Sequence, residues 1–189
     1  MPVSRPYSVG QSGQEGKVTL ATVLLGVGKQ FIALPVRDHF LIGSFLAFDL
    51  IAAPRFGMWA YSLFVLPGVL GHEICHWLVA LMLRARPSFP NIIPKHDGNT
   101  WRLGAVQFVP NLLTLIPIAL APFMLLPLGI WYAAFVMYPA TGGWWWFHGW
   151  IASTFLVASL PSRQDWKVAM PAIVCALALS YLAHRSGLF

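Results

Sequence analysis

Long apolar segments separated by short polar ones dominate the pattern along the chain. The apolar segments cover residues 18–36, 39–53, 56–83, 108–140, 151–160 and 168–184. A membrane-spanning helix needs about 20 predominantly apolar residues. The number and length of these segments predict an all-α fold, a polytopic transmembrane helical bundle with about four to six membrane segments. Residues 1–16 are polar, with Gly, Ser and Pro among them, which predicts a flexible tail before one integral membrane domain over 17–189.

The first three apolar segments differ in quality. Lys29 and Gln30 interrupt the first, and the second is short and contains Asp49. These two could form two tilted passes, a hairpin, or one pass followed by an interfacial helix. The third segment, 56–83, is long enough to cross a membrane, and Pro67 should kink it.

Prolines also divide the segment 108–140, which is too long for one straight helix. Pro117, Pro122 and Pro127 recur in it every five residues. We expect a broken or re-entrant entry followed by a full pass from about residue 122 to 138. Broken helices are tolerated at membrane depth only where protein or a wet cavity satisfies the freed backbone groups, so an internal site should lie nearby.

The longest internal polar segment, 84–107, connects two of these helices. Its Asp97-Gly98 pair is a turn signal, and the flanking residues could form a small β-hairpin at the membrane surface. If the later helices cross out and back, the connector lies on the same side as the 161–167 loop. That side then carries six basic residues: Arg84, Arg86, Lys95, Arg102, Arg163 and Lys167. Because basic residues collect in cytoplasmic loops, the connector is predicted to face the cytoplasm.

Composition supports a membrane protein. Of the 189 residues, 58% are hydrophobic and only 10% are charged, whereas a soluble domain carries about 25% charged residues. The formal net charge is +6, but the basic residues are scattered and form no basic stripe. Nucleic acid is therefore not an expected partner, the lipid bilayer is, and the pattern predicts no particular oligomeric state.

Two imidazoles and a carboxylate interrupt the apolar stretch LGHEICHWLV. His72 and His76 are four residues apart, so a helix places them on one face, about 6 Å apart along its axis. Both can then ligate one Zn²⁺ at about 2.0–2.1 Å. Glu73 follows the first His and can act as a general base, taking a proton from water and passing it to a leaving amine. His-Glu-x-x-His is the metalloprotease pattern for this reason.

The alternatives for this group are a structural His pair, a proton relay and a haem site. The chain has only two Glu residues, Glu15 and Glu73, and six His, so random placement rarely produces the pattern. A charged side chain at the centre of a membrane helix costs about 2.5–3.5 kcal/mol. Metal coordination offsets that cost, and we therefore interpret the group as a metal site.

Catalytic zinc takes three protein ligands and keeps one position open, so a third ligand is required. Asp165 is the leading candidate, because it begins the last helix on the same side as the histidines. It also fits a capping box, with Ser162 as the N-cap and an acid three residues later, which requires no metal. His96 and Asp97 in the connector are alternatives, followed by Asp49.

These motifs resemble those of the site-2 protease type of intramembrane zinc metalloprotease, the M50-like group. Gly71-His72-Glu73-Ile74-Cys75-His76 matches the first motif of that family. Leu160-Pro161-Ser162-Arg163-Gln164-Asp165 matches the third motif in its spacing from Pro to Asp. Trp166 stands where the family usually has Gly, and the Asn-rich lead-in is missing. The resemblance covers roughly residues 60–170, and the connector is too short for a PDZ insertion, so the chain resembles a minimal form of the family.

The resemblance implies a zinc-dependent intramembrane endopeptidase that cleaves a membrane-anchored protein. It implies that Zn²⁺ is held by His72, His76 and Asp165, and that Glu73 is the catalytic residue. It further implies a bacterial inner (plasma) membrane, with the active site on the cytoplasmic side.

A helical substrate must unwind locally before its peptide bond can be attacked. The proline-broken region, with Pro117 and Pro122, is the candidate element for contact with that unwound segment. Two other functions stay open. One is a non-proteolytic metal-binding membrane protein, and the other is an inactive protease relative that binds a membrane partner.

Overall fold

The computed structural model describes residues 19–51, 55–93, 95–97, 100–102, 104–109 and 112–185, so the predicted tail lies outside the described residues. Within these ranges the chain is mostly helical, as predicted, and the main exception is the connector, which contains one small hairpin. The helices are α1 (Leu20–Ile32), α2 (Val36–Ile51), α3 (Met58–Phe64), α4 (Leu66–Met82), α5 (Leu112–Ala119), α6 (Leu125–Tyr132), α7 (Gly143–Ala158) and α8 (Arg163–Arg185).

Prolines accompany two sharp bends. The axes of α1 and α2 differ by 95° and those of α3 and α4 by 71°. Pro35 stands directly before α2, and Pro67 lies in the first turn of α4. A proline ring removes an amide donor and clashes with the preceding turn, so the earlier helix ends. The predicted kink at Pro67 is confirmed.

No individual helix in the described ranges has both the length and the apolar composition needed to cross a bilayer. The pair α1–α2 and the pair α3–α4 meet those two criteria only when each bent pair is taken together.

The segment after the connector is broken as predicted. Following α5, a 3₁₀ turn (Ala121–Met124) leads into α6, which continues as a π-helical turn (Ala133–Met137). This helical run covers Ala121–Met137, close to the full pass predicted from about 122 to 138. It is an apolar helix, but it is shorter than the length needed to cross a membrane.

Helix α7 is the centre of the bundle and packs against α2, α4 and α6. Helix α4 approaches α7 closely at Gly68, where a Cβ would collide with the carbonyl group of Thr154. The main buried cluster comprises Leu34, Leu41, Ile42, Ala133, Met137 and Ala152. Close packing of α4 on α7 places the His-Glu-His group beside the C-terminal end of α7.

The connector forms the predicted hairpin and extends it. Strands β1 (Lys95–Asp97) and β2 (Thr100–Arg102) pair antiparallel across Asp97-Gly98, with His96 opposite Trp101. The pairing resumes on either side of the hairpin. Asn91 and Ala105 exchange backbone hydrogen bonds of 3.0 and 2.9 Å, and the Ser88 amide donates to the Gln107 carbonyl at 2.7 Å. The connector is thus a longer antiparallel ribbon than predicted.

Candidate metal centre

Helix α4 and the first turn of α8 bring three of the predicted residues together. His72 and His76 project from α4, and Asp165 lies in the first turn of α8. One ligand atom from each of the three residues lies within 4.8 Å of the other two. The structure thus places these three side chains around one point, although His72 and Asp165 are ninety-three positions apart in the sequence.

The distances between the ligand atoms suit a single small cation. The two Nε2 atoms of His72 and His76 are 3.1 Å apart. Asp165 Oδ2 lies 3.2 Å from His72 Nε2, and Asp165 Oδ1 lies 3.2 Å from His76 Nε2. Atoms bound at 2.0–2.1 Å to a tetrahedral Zn²⁺ lie about 3.3 Å from one another. Only a small adjustment is needed to fit the metal.

Backbone carbonyl groups determine which imidazole nitrogens carry protons. His72 Nδ1 lies 2.7 Å from the Ala158 oxygen, and His76 Nδ1 lies 2.7 Å from the Ile118 oxygen. Because a carbonyl only accepts, each Nδ1 must be the N–H donor. In the neutral imidazoles both Nε2 lone pairs then face each other and a carboxylate. A cation between them removes this repulsion, and carbonyl-held imidazoles are typical of zinc ligands.

Asp165 caps α8 and faces the histidines at the same time. Its Oδ2 accepts a hydrogen bond from the Ser162 amide at 2.6 Å, and its own amide donates to Ser162 Oγ at 3.2 Å. Burial would raise the pKa of Asp165, but the contacts with His72 and His76, when these imidazoles are protonated, and with Ser162 lower it below its usual range. The predicted capping box is present, and it is compatible with a ligand role because the capped carboxylate faces His72 and His76.

Glu73 is buried under the backbone of the connector. A Cβ built on Gly104 would lie 2.5 Å from Glu73 Oε1 and 2.7 Å from its Cδ, so a residue with a side chain does not fit here without movement. Sequence analysis missed this contact. A lone glycine in an extended segment is the available signal, because such glycines often mark the close approach of another group.

The four polar residues line one wall of a cavity of about 930 Å³. The last four connector residues, 104–107, and Phe108 form a second wall, and the first two turns of α8 also line the cavity. Along that connector wall, Ala105 and Gln107 hydrogen-bond to the neighbouring chain segment, whereas Val106 and Phe108 make no backbone hydrogen bond within the described residues. Among the described residues, Val106 and Phe108 therefore form an unpaired backbone edge that borders the cavity.

The other sequence candidates lie elsewhere. His96 is exposed on β1, and Asp49 is buried on α2, where neither carboxylate oxygen has a hydrogen-bond partner among the described residues. Pro117 is exposed on α5, and Pro122 is buried in the 3₁₀ turn. Neither proline is among the residues that line the cavity.

No family model, curated protein or solved structure matches this chain. Function must therefore be inferred from the chemistry of the site itself. The arrangement is that of a candidate mononuclear zinc centre with an adjacent carboxylate.

Proposed function

We propose that the protein is a zinc-dependent intramembrane endopeptidase that cleaves a membrane-anchored protein. One observation carries the proposal: two imidazole Nε2 atoms and a carboxylate converge at 3.1–3.2 Å, and a second carboxylate, that of Glu73, lines the same cavity. The resemblance of the two motifs to site-2 protease motifs supports the same conclusion.

The chain supplies the parts that peptide hydrolysis requires. Zn²⁺, when bound, would activate a water molecule and polarise the scissile carbonyl. His72, His76 and Asp165 provide three ligands, which leaves one coordination position for the reaction. Glu73 accepts a proton from the water as its oxygen adds to the carbonyl carbon. The same carboxyl then gives the proton to the amine as the C–N bond breaks.

Exposed apolar side chains support a bilayer setting. Leu20, Val36, Phe40, Met82 and Phe89 are each at least 75% exposed, and soluble monomers rarely expose large contiguous apolar patches. A lipid bilayer would cover such side chains. The proposed location is a bacterial inner (plasma) membrane in which the connector and the active site face the cytoplasm, in accord with the basic residues on that side.

The unpaired connector edge suggests how substrate could bind. A peptide bond inside a helix is held by hydrogen bonds and must unwind before attack. An unwound segment needs new partners for its backbone groups, and an exposed strand edge provides them by strand addition. Val106 and Phe108 offer that edge beside the metal position, while contact with Pro117 and Pro122 stays a prediction.

The substitution Glu73→Gln tests the proposal. We expect purified Glu73→Gln protein to keep its zinc and to lose cleavage of a membrane-anchored model substrate, because the amide cannot accept the proton. His72→Ala, as the matched comparison, should lose both. Metal content by elemental analysis and cleavage by gel are the measurements.

Two outcomes contradict the mechanism. If Glu73→Gln loses zinc, Glu73 is a ligand rather than the base. If this variant equals the wild type in every assay, the centre is structural, and the chain is a metal-binding membrane protein or an inactive relative that binds a membrane partner.

A further inference from the structure

Two basic side chains line the same cavity as the candidate metal centre. Arg163 and Lys167 lie on α8, on either side of Asp165, and both contribute to the cavity wall. They are four residues apart, which places them on one face of the helix, one turn from each other.

Neither basic residue has an acidic partner in the described ranges. The ion pairs found there involve only Asp38 and Asp165 as acids, and Asp165 faces the two histidines. The other carboxylate in the cavity wall is Glu73, which lies beneath Gly104. Like charges four residues apart on a helix repel each other. An anion that enters the cavity between Arg163 and Lys167 would offset this repulsion.

We propose that Arg163 and Lys167 bind an acidic side chain of the substrate close to the cleaved bond. This inference rests on the proposed protease function. Asp165 is two residues from each of them and so points to a different side of α8, but all three residues line the same cavity. A carboxylate bound by the basic pair therefore lies in the cavity that contains the candidate metal ligands. The substrate class is therefore a membrane-anchored segment whose apolar stretch is bordered by Asp or Glu.

A substrate carboxylate suits these residues better than a lipid phosphate does. Both side chains line the cavity that holds Glu73 and the metal ligands, rather than the outer wall of the bundle, where exposed apolar residues such as Met82 would meet lipid. Arginine binds carboxylates through two parallel hydrogen bonds, which favours recognition of a particular side chain.

The test reverses the two charges in the full-length protein. Arg163→Glu/Lys167→Glu is compared with the wild type and with Arg185→Glu, an exposed arginine at the other end of α8. The probes are synthetic peptides with about 20 apolar residues bordered on one end or the other by Asp-Asp, Asn-Asn or Lys-Lys. Cleavage is measured in phosphatidylcholine vesicles. Peptide binding is measured separately in each protein made inactive by Glu73→Gln.

We expect the wild type and Arg185→Glu to bind and cleave an Asp-Asp peptide about tenfold better than the matching Lys-Lys peptide, a difference that two partly exposed charge pairs can supply. The reversed variant should prefer Lys-Lys. The preference should fall as salt is added, because salt screens exposed charges.

Equal binding of all peptides by the wild type overturns the inference, as does an Asp-Asp preference that survives charge reversal. A third outcome also overturns the inference. In it, the wild type and the reversed variant bind the peptides equally, but phosphatidylglycerol in micelles stabilises only the wild type. The basic pair would then bind lipid headgroups. Failure of the protease proposal can be distinguished from failure of this inference. If the protein is not a protease, no peptide is cleaved, but the binding preference of the Glu73→Gln proteins still decides the role of the basic pair.

Discussion

Glycine at position 104 is predicted to be necessary for catalysis but not for metal binding. The substitution Gly104→Ala adds one methyl group, and the three atoms nearest to it all belong to Glu73. Ile118 and Ala158, whose carbonyl groups hold the imidazoles, lie on other elements of the fold. The perturbation is therefore directed at the proposed general base and leaves the orientation of the candidate metal ligands in place.

The size of the effect follows from the distances. The added Cβ would lie 2.5 Å from Glu73 Oε1, whereas ordinary contact begins at 3.4 Å. Relief of the clash must move the carboxylate or the connector by about 0.9 Å, and a misplacement of about 1 Å can lower a catalytic rate about 100-fold. A 100-fold loss corresponds to about 2.7 kcal/mol of transition-state stabilisation.

The assay combines single-turnover cleavage of a membrane-anchored substrate with metal analysis of the same preparation. We expect the single-turnover rate constant for cleavage to fall about 100-fold while the zinc content equals that of the wild type. Gly43→Ala is the matched control, because a Cβ at Gly43 meets nothing within 4 Å. Wild-type activity in Gly104→Ala would refute the placement of the connector backbone over Glu73. Loss of zinc would show that the connector supports the ligands rather than the base.

Two further predictions concern the metal ligands. Asp165→Ala should release the zinc, whereas His96→Ala should retain it, because Asp165 is the residue that groups with the two histidines in the part of the chain that the structure describes. The opposite result in elemental analysis would show that the proposed ligand set is wrong. Pro122→Ala should lower zinc affinity about 10-fold to 100-fold, the usual cost of losing a partner that orients a ligand, because the restored amide competes with His76 for the Ile118 carbonyl. Titration with a competing chelator measures this affinity, and an unchanged value would contradict the assignment.

Local features of the fold were predictable because each depends on neighbouring residues. The apolar segments located the helices, Pro67 marked the bend before α4, and Asp97-Gly98 marked the hairpin turn. The capping pattern from Ser162 to Asp165 also appears as predicted. In each case a ring, a turn or a hydrogen bond acts over a few positions, so the sequence pattern contains the cause.

The assembled site was only partly predictable, because its contacts join distant segments. Four-residue spacing placed His72 and His76 on one face, but no spacing rule selects Asp165 over His96 as their partner. That choice depends on where α8 begins relative to α4, which the packing of α4 on α5 and α7 and of α8 on α5 determines. The burial of Glu73 beneath Gly104 likewise depends on the path of the connector, which the turn signals do not specify.

Helix ends explain why proline breaks surround this site. The last carbonyl groups of a helix have no intrahelical partner. In a continuous helix the Ile118 carbonyl would accept from the amide of residue 122, but Pro122 has no amide proton, and the carbonyl accepts from His76 instead. At the end of α7, the Ser162 amide donates to Asp165, which leaves the Ala158 carbonyl for His72. Each break frees one acceptor, and each acceptor fixes one imidazole. Pro122 at one break and the Ser162–Asp165 cap at the other therefore orient the two imidazoles that face the proposed metal.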